Sequence, residues 1–177
     1  MNAVEKEQLL EKVKGYFDGD EKISTTGDWR YEFTKDEDGD YCFKGGMAID
    51  SKFKSVSFIL YVLERGLLLQ TAFPLGVEEK QRDKMYDFLS FVNMRQISGF
   101  FLMDPRDGEL IHKSFFDGDA ALKMEGTDFG DMVMDRLMLG AAQAWKRFGN
   151  KGFVSIMFDL VDQDESMEVL CDKCISE

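Results

Sequence analysis

Few residues in this chain have the type and spacing to do chemistry. Cys171-Asp172-Lys173-Cys174 is a C-x-x-C pair, a spacing used by thiol–disulfide centres and by one half of a structural zinc site. A zinc site takes four ligands, usually from two such pairs. The remaining candidates are Cys42 and His112, both in segments that read as strands. A thioredoxin-type pair belongs at the start of a helix that follows a strand, whereas this one lies in an acidic C-terminal stretch. Metal or thiol-redox use of Cys171 and Cys174 is therefore the alternative reading, set against an incidental pair.

His112 is the only histidine. On its strand it shares a face with Leu110, Ser114 and Phe116, and no nucleophile-elbow motif supplies a serine for it to activate. The expectation is a strand residue satisfied by a neighbour or by solvent. Asp36-Glu37-Asp38-Gly39-Asp40 has the carboxylates of a calcium loop. An EF-hand loop starting there needs glycine at its sixth position, which is Tyr41. A solvated hairpin turn fits better. Gly45-Gly46 lacks the spacing of a phosphate loop or dinucleotide fingerprint. No catalytic set and no cofactor is expected.

The elements that position these residues follow from periodicity. Leu9, Leu10, Val13, Tyr16 and Phe17 fall on one face of a helix over 4–17, closed by Gly19. Strands are predicted over 29–34, 41–49, 55–63 and 67–75, joined by short polar connections, which implies an antiparallel meander. A second helix over 77–96 carries Met85, Phe88, Leu89, Val92 and Gln96 on one stripe, and Gly99 follows it. A hairpin then pairs 99–103 with 109–116 across Asp104-Pro105-Arg106-Asp107-Gly108. A third helix over 127–148 shows the clearest stripe: Phe129, Met132, Val133, Leu137, Gly140, Ala141, Ala144, Trp145 and Phe148. Residues 151–161 fit a strand or a short helix, with helix favoured. Asp-Gly-Asp recurs at 18–20, 38–40 and 117–119, each time between elements, and reads as a turn.

The chain has 177 residues, 44% of them hydrophobic and 32% charged. That length suits one α+β domain able to bury roughly 70% of its unfolded surface without staples. An acidic tail at 162–177 is expected to be loosely held. The net charge is −12, which repels a phosphate backbone and an anionic membrane surface. The opening MNAVEKEQLLEKVKG is charged and amphipathic, unlike a signal peptide. The longest apolar runs are too short to span a bilayer, and three cysteines make no disulfide framework. A reduced, cytoplasmic protein is expected, with neither nucleic acid nor membrane as partner.

Helix three has an apolar surplus. Met134 lies off the main stripe, with Met138 four residues on and Leu139 beside it. A helix apolar on more than one side is buried on more than one side or meets a partner. Met134, Met138 and Leu139 are thus the candidate partner-binding residues, and coverage by 151–161 is the competing reading.

The end of helix two, Phe88-Leu89-Ser90-Phe91-Val92-Asn93, is followed by Gly99, the aromatic strand Phe100-Phe101-Leu102 and the turn Asp107-Gly108-Glu109-Leu110. With the order α-β-β-β(-β)-α-β-β-α, this run resembles the YbjN-like family of small bacterial proteins, whose fold is that of the type III secretion chaperones. The resemblance covers residues 9–148. Two features depart from it: Lys151-Gly152-Phe153 stands where the family often continues into a proline-containing segment, and the C-x-x-C is not a family trait. The resemblance implies a protein without catalytic activity. Its fold relatives bind other polypeptides, commonly as dimers, and YbjN-like proteins are linked to regulation of signalling or motility. The expected function is a non-catalytic, cytoplasmic protein-binding module, chaperone-like or regulatory, whose partner is another polypeptide or a second copy in a homodimer.

Overall fold

The computed structural model describes residues 1–19, 31–49 and 54–176. The first helix, α1 (Ala3–Phe17), opens on a capping box in which Asn2 and Glu5 satisfy each other's backbone N–H groups. Four strands follow: β1 (Tyr31–Lys35), β2 (Tyr41–Ala48), β3 (Ser55–Leu63) and β4 (Gly66–Gly76). Residues 29 and 30 of the predicted first strand lie outside the described residues. A 3₁₀ turn (Glu79–Gln81) leads into α2 (Arg82–Arg95), and the hairpin is β5 (Phe100–Met103) with β6 (Glu109–Asp117).

The strands form one six-stranded antiparallel sheet in the order β1-β2-β3-β4-β6-β5. The α+β class and the meander of the first four strands are as the sequence indicates. In the hairpin Phe101 stands opposite His112 and Phe100 opposite Lys113. Strand β6 runs back along β4: Gly118 N–H donates to Arg65 O and Val77 N–H donates to Gly108 O. The Asp36 turn is the expected hairpin turn, its carboxylate accepting from the backbone N–H of Asp38 and Asp40.

After the sheet the chain is helical, in more pieces than expected. These are α3 (Gly118–Lys123), α4 (Thr127–Phe129), a π turn (Gly130–Met134), α5 (Asp135–Phe148), a second π turn (Gly149–Phe153), α6 (Val154–Met157) and α7 (Met167–Ile175). Three expectations are corrected. The third Asp-Gly-Asp is no turn: Asp117 caps α3, its side chain accepting from Ala120 N–H. The 162–177 segment is no loose tail, because α7 buries Leu170, Cys171 and Cys174. The stripe on helix three is re-phased: Met132 is exposed, whereas Met134 and Met138 are fully buried. Buried positions recur every four residues, at 129, 133, 137 and 141 and at 130, 134 and 138. The π turn absorbs the mismatch between that spacing and the 3.6-residue turn.

The chain divides into two compact units. The first comprises Met1–Gly46, Ser57–Gln70 and Ser114–Gly140. Its core is aromatic: the Phe17 ring stacks on Phe43 at 5.1 Å and on Phe58 at 5.9 Å between centroids. Tyr16, fully buried, donates its hydroxyl to Asp135 at 2.8 Å. The second unit comprises Met47–Val56, Thr71–Lys113 and Ala141–Glu177. Here Phe101 lies edge-on to Trp145 at 4.9 Å and to Phe153 at 4.9 Å. The Trp145 indole N–H donates to Thr71 Oγ1 at 2.7 Å. Each large apolar side chain so buried contributes roughly 1.5–3 kcal/mol. Helix α7 docks on α2, where Arg95 pairs with Asp172 at 2.9 Å.

Candidate functional site

The connection from α2 through β5 to β6 brings His112 together with Asn93, Gly99 and Phe101 of the run that carries the family resemblance. Asn93, in the last turn of α2, turns its amide to strand β5. Its Nδ2 donates to Phe101 O at 2.8 Å, and its Oδ1 accepts from Phe101 N–H at 2.7 Å. One side chain thus replaces a neighbouring strand at that point of the sheet edge. Gly99 takes φ +73° in the link. A Cβ there would stand 2.6 Å from the His112 ring and 2.7 Å from Lys113 O, so glycine is required by both conformation and space.

His112 is 1% exposed. Its Nε2 lies 3.2 Å from Gln96 Oε1, and its ring meets Phe101 edge-on at 4.8 Å. Burial pushes its pKa down to about 4, against a weaker upward pull from the Ser98 backbone. A neutral imidazole packed beneath Gly99 and held by Gln96 is a structural element of the hairpin. Of the two partners expected, solvent or a neighbour, it has the neighbour, Gln96.

Cys171 and Cys174 face inward from α7, three residues apart on one side of the helix. Both are reduced thiols. Burial pushes the Cys171 thiol up, with Arg95 pulling it the other way, so the nucleophilic thiolate is disfavoured. Among the described residues, no three His, Cys, Asp or Glu side chains converge as metal ligands. Cys42 belongs to the first unit and the pair to the second.

The proposed partner surface on helix three is corrected in two of its three residues. Met134 and Met138 are core residues and cannot contact a partner without opening the fold, while Leu139 is partly exposed. Exposed apolar side chains of the second unit include a run where α2 passes into β5. There Met94 is 69% exposed, Ile97 99% and Phe100 48%. The sequence holds a faint signal for it: Met94 lies off the Met85–Val92 stripe, and Ile97 sits between polar Gln96 and Ser98 where a helix ends. In the first unit, α1 and α3 border an open groove of about 580 Å³ with Glu7, Glu11 and Glu125 on its walls. Lys12 spans its floor, donating to Leu122 O at 2.9 Å and to Met124 O.

No helix among the described residues is long and apolar enough to cross a membrane. No protein-family model, curated protein or solved structure matches the chain.

Proposed function

We propose that this chain is a non-catalytic, cytoplasmic polypeptide-binding module, chaperone-like or regulatory, of the YbjN-like kind. The observation that carries the reading is the exposed run Met94, Ile97 and Phe100. These are three large apolar side chains within seven residues, on a turn held rigid by Asn93 and Gly99. Exposed apolar groups clustered on a fixed backbone mark protein-interaction surfaces. The partner is another polypeptide with an apolar face, a second copy of the chain included. Asn93 occupies the main-chain groups of Phe101, so the contact is made by side chains and not by strand addition at that point.

The test is association of the purified protein, by light scattering at micromolar concentration and by analysis of co-purifying polypeptides. Association is expected, and Ile97→Glu or Met94→Glu weakens it at least about tenfold, as for an interface anchor worth 1.4 kcal/mol or more. A clean monomer with no co-purifying polypeptide would sink the reading. So would an association that both variants leave intact.

A further inference from the structure

Helix α1 buries one side through Leu9, Leu10, Val13, Tyr16 and Phe17. A second stripe, Val4, Glu7, Gln8 and Glu11, has the same three-and-four spacing and lines the groove between α1 and α3. The link after α3 brings Glu125 to that groove, and Leu122 of α3 adds an apolar wall. Val4 is 65% exposed. Lys12 is the one cation among the described residues that line the groove, and its ammonium is already held by Leu122 O and Met124 O. Glu11 is shared with Lys14 at 2.8 Å. Glu7 and Glu125 are exposed, and their carboxylates make no hydrogen bond or ion pair among the described residues. The net charge of −12 accounts for carboxylates on a wet helix face. It does not account for apolar side chains that share a concavity of about 580 Å³ with them. Nor does it account for two glutamates four residues apart, a spacing that like charges disfavour.

We infer that this groove docks a basic amphipathic helix of a partner polypeptide, one whose apolar side chains are flanked by lysine or arginine. Charge complementarity selects that occupant. Glu7 and Glu125 offer unpaired acceptors to cations at the rim. Val4 and Leu122 offer apolar contact between them and the helix, as in helix-in-groove recognition. The acidic field of the chain speeds encounter with a cation-rich segment. The same field disfavours an acidic segment, a second copy of this chain included. The groove lies wholly in the first unit. The inference therefore goes beyond the polypeptide binding proposed for Met94, Ile97 and Phe100 and does not rest on it.

Calorimetric titration of the full chain with a synthetic helical peptide of leucine and lysine, its leucines on one face, tests it. The controls are a peptide of the same composition with its leucines scattered, a leucine–glutamate peptide of the same pattern, and calcium chloride alone. One saturable site is expected for the patterned basic peptide, with the scattered peptide at least about tenfold weaker and no saturable site for the acidic peptide or for calcium. Glu7→Lys and Glu125→Lys, both at exposed positions that leave the core untouched, should each weaken binding about tenfold, as a like charge set against the ligand's cations does. Asp87→Lys, the same charge change at an exposed position of the second unit, should leave it unchanged. So should Ile97→Glu, which lets the two readings fail separately. The inference is overturned if the patterned basic peptide does not bind, if calcium binds in its place, or if the scattered peptide binds as well. It is equally overturned if both groove variants bind as the parent does, or if Asp87→Lys weakens binding as much as they do.

Discussion

Replacing Asn93 by alanine removes the one side chain that satisfies both main-chain groups of Phe101, an edge-strand residue only 2% exposed. Two hydrogen bonds are lost, each worth about 0.5–1.5 kcal/mol net. Phe101 is packed among Trp145, Phe148 and Phe153, so water reaches the freed N–H and C=O poorly. An orphaned buried polar group costs about 1–3 kcal/mol. Partial hydration of the widened edge offsets part of that penalty, which leaves a destabilisation of about 2–4 kcal/mol for Asn93→Ala. Urea unfolding with linear extrapolation measures it, and amide hydrogen exchange locates it, because protection at Phe101 should fall more than at residues in the first unit. A loss below about 0.5 kcal/mol, the level of an ordinary surface substitution, with unchanged exchange at Phe101, would refute the reasoning. The edge would then be satisfied without Asn93.

Three further perturbations follow from the same packing. The pKa of His112 falls from an ordinary 6.5 to about 4 on folding, so unfolding takes up a proton between those values. Stability is therefore full above the ordinary value, declines as pH falls through the window by up to about 3 kcal/mol, and levels below the folded value. Urea unfolding at pH steps across the window should show this decline in the parent and lose it in His112→Gln. Gly152→Ala would put a Cβ 2.2 Å from Phe88 Cζ, on a fully buried ring. Overpacking of about 1–3 kcal/mol is expected from urea unfolding, and an unchanged midpoint would mean that the ring yields freely. Thr71→Val keeps the shape but removes the hydroxyl that accepts from the indole N–H of buried Trp145. A loss of about 1–3 kcal/mol should follow by the same measurement.

Periodicity was enough where one face of an element is buried and the other wet. Helix α1 and the hairpin fall close to where the spacing of Leu9–Phe17 and of Leu110, Ser114 and Phe116 puts them. It failed where the backbone departs from the regular turn. The π turn at Gly130–Met134 moves Met134 inward and Met132 outward, and nothing in a count of 3.6 residues per turn registers one extra residue. Helix α7 was missed for another reason. Its buried side is only Leu170, Cys171 and Cys174, and half of its remaining positions are charged. Composition reads such a stretch as a tail, although Arg95 and the α2 surface hold it.

The residues that carry the family likeness are consumed by the backbone they build. Asn93 closes the strand edge, Gly99 passes the His112 ring at positive φ, and Phe101 fills the core. Gly108, at φ +79°, packs where a Cβ would strike Val77 O at 2.3 Å. Each is fixed by a steric or hydrogen-bonding requirement that any chain with this hairpin must meet, whatever it binds. Under the proposed function, the side chains that this turn leaves available to a partner are Met94, Ile97 and Phe100. Selectivity in the proposed binding would then be set by side chains that the fold does not constrain. Ile97→Glu should accordingly change association while leaving the urea midpoint within about 0.5 kcal/mol of the parent, the usual range for an exposed position. Asn93→Ala should lower the midpoint first, and weaken association only as far as the turn loosens.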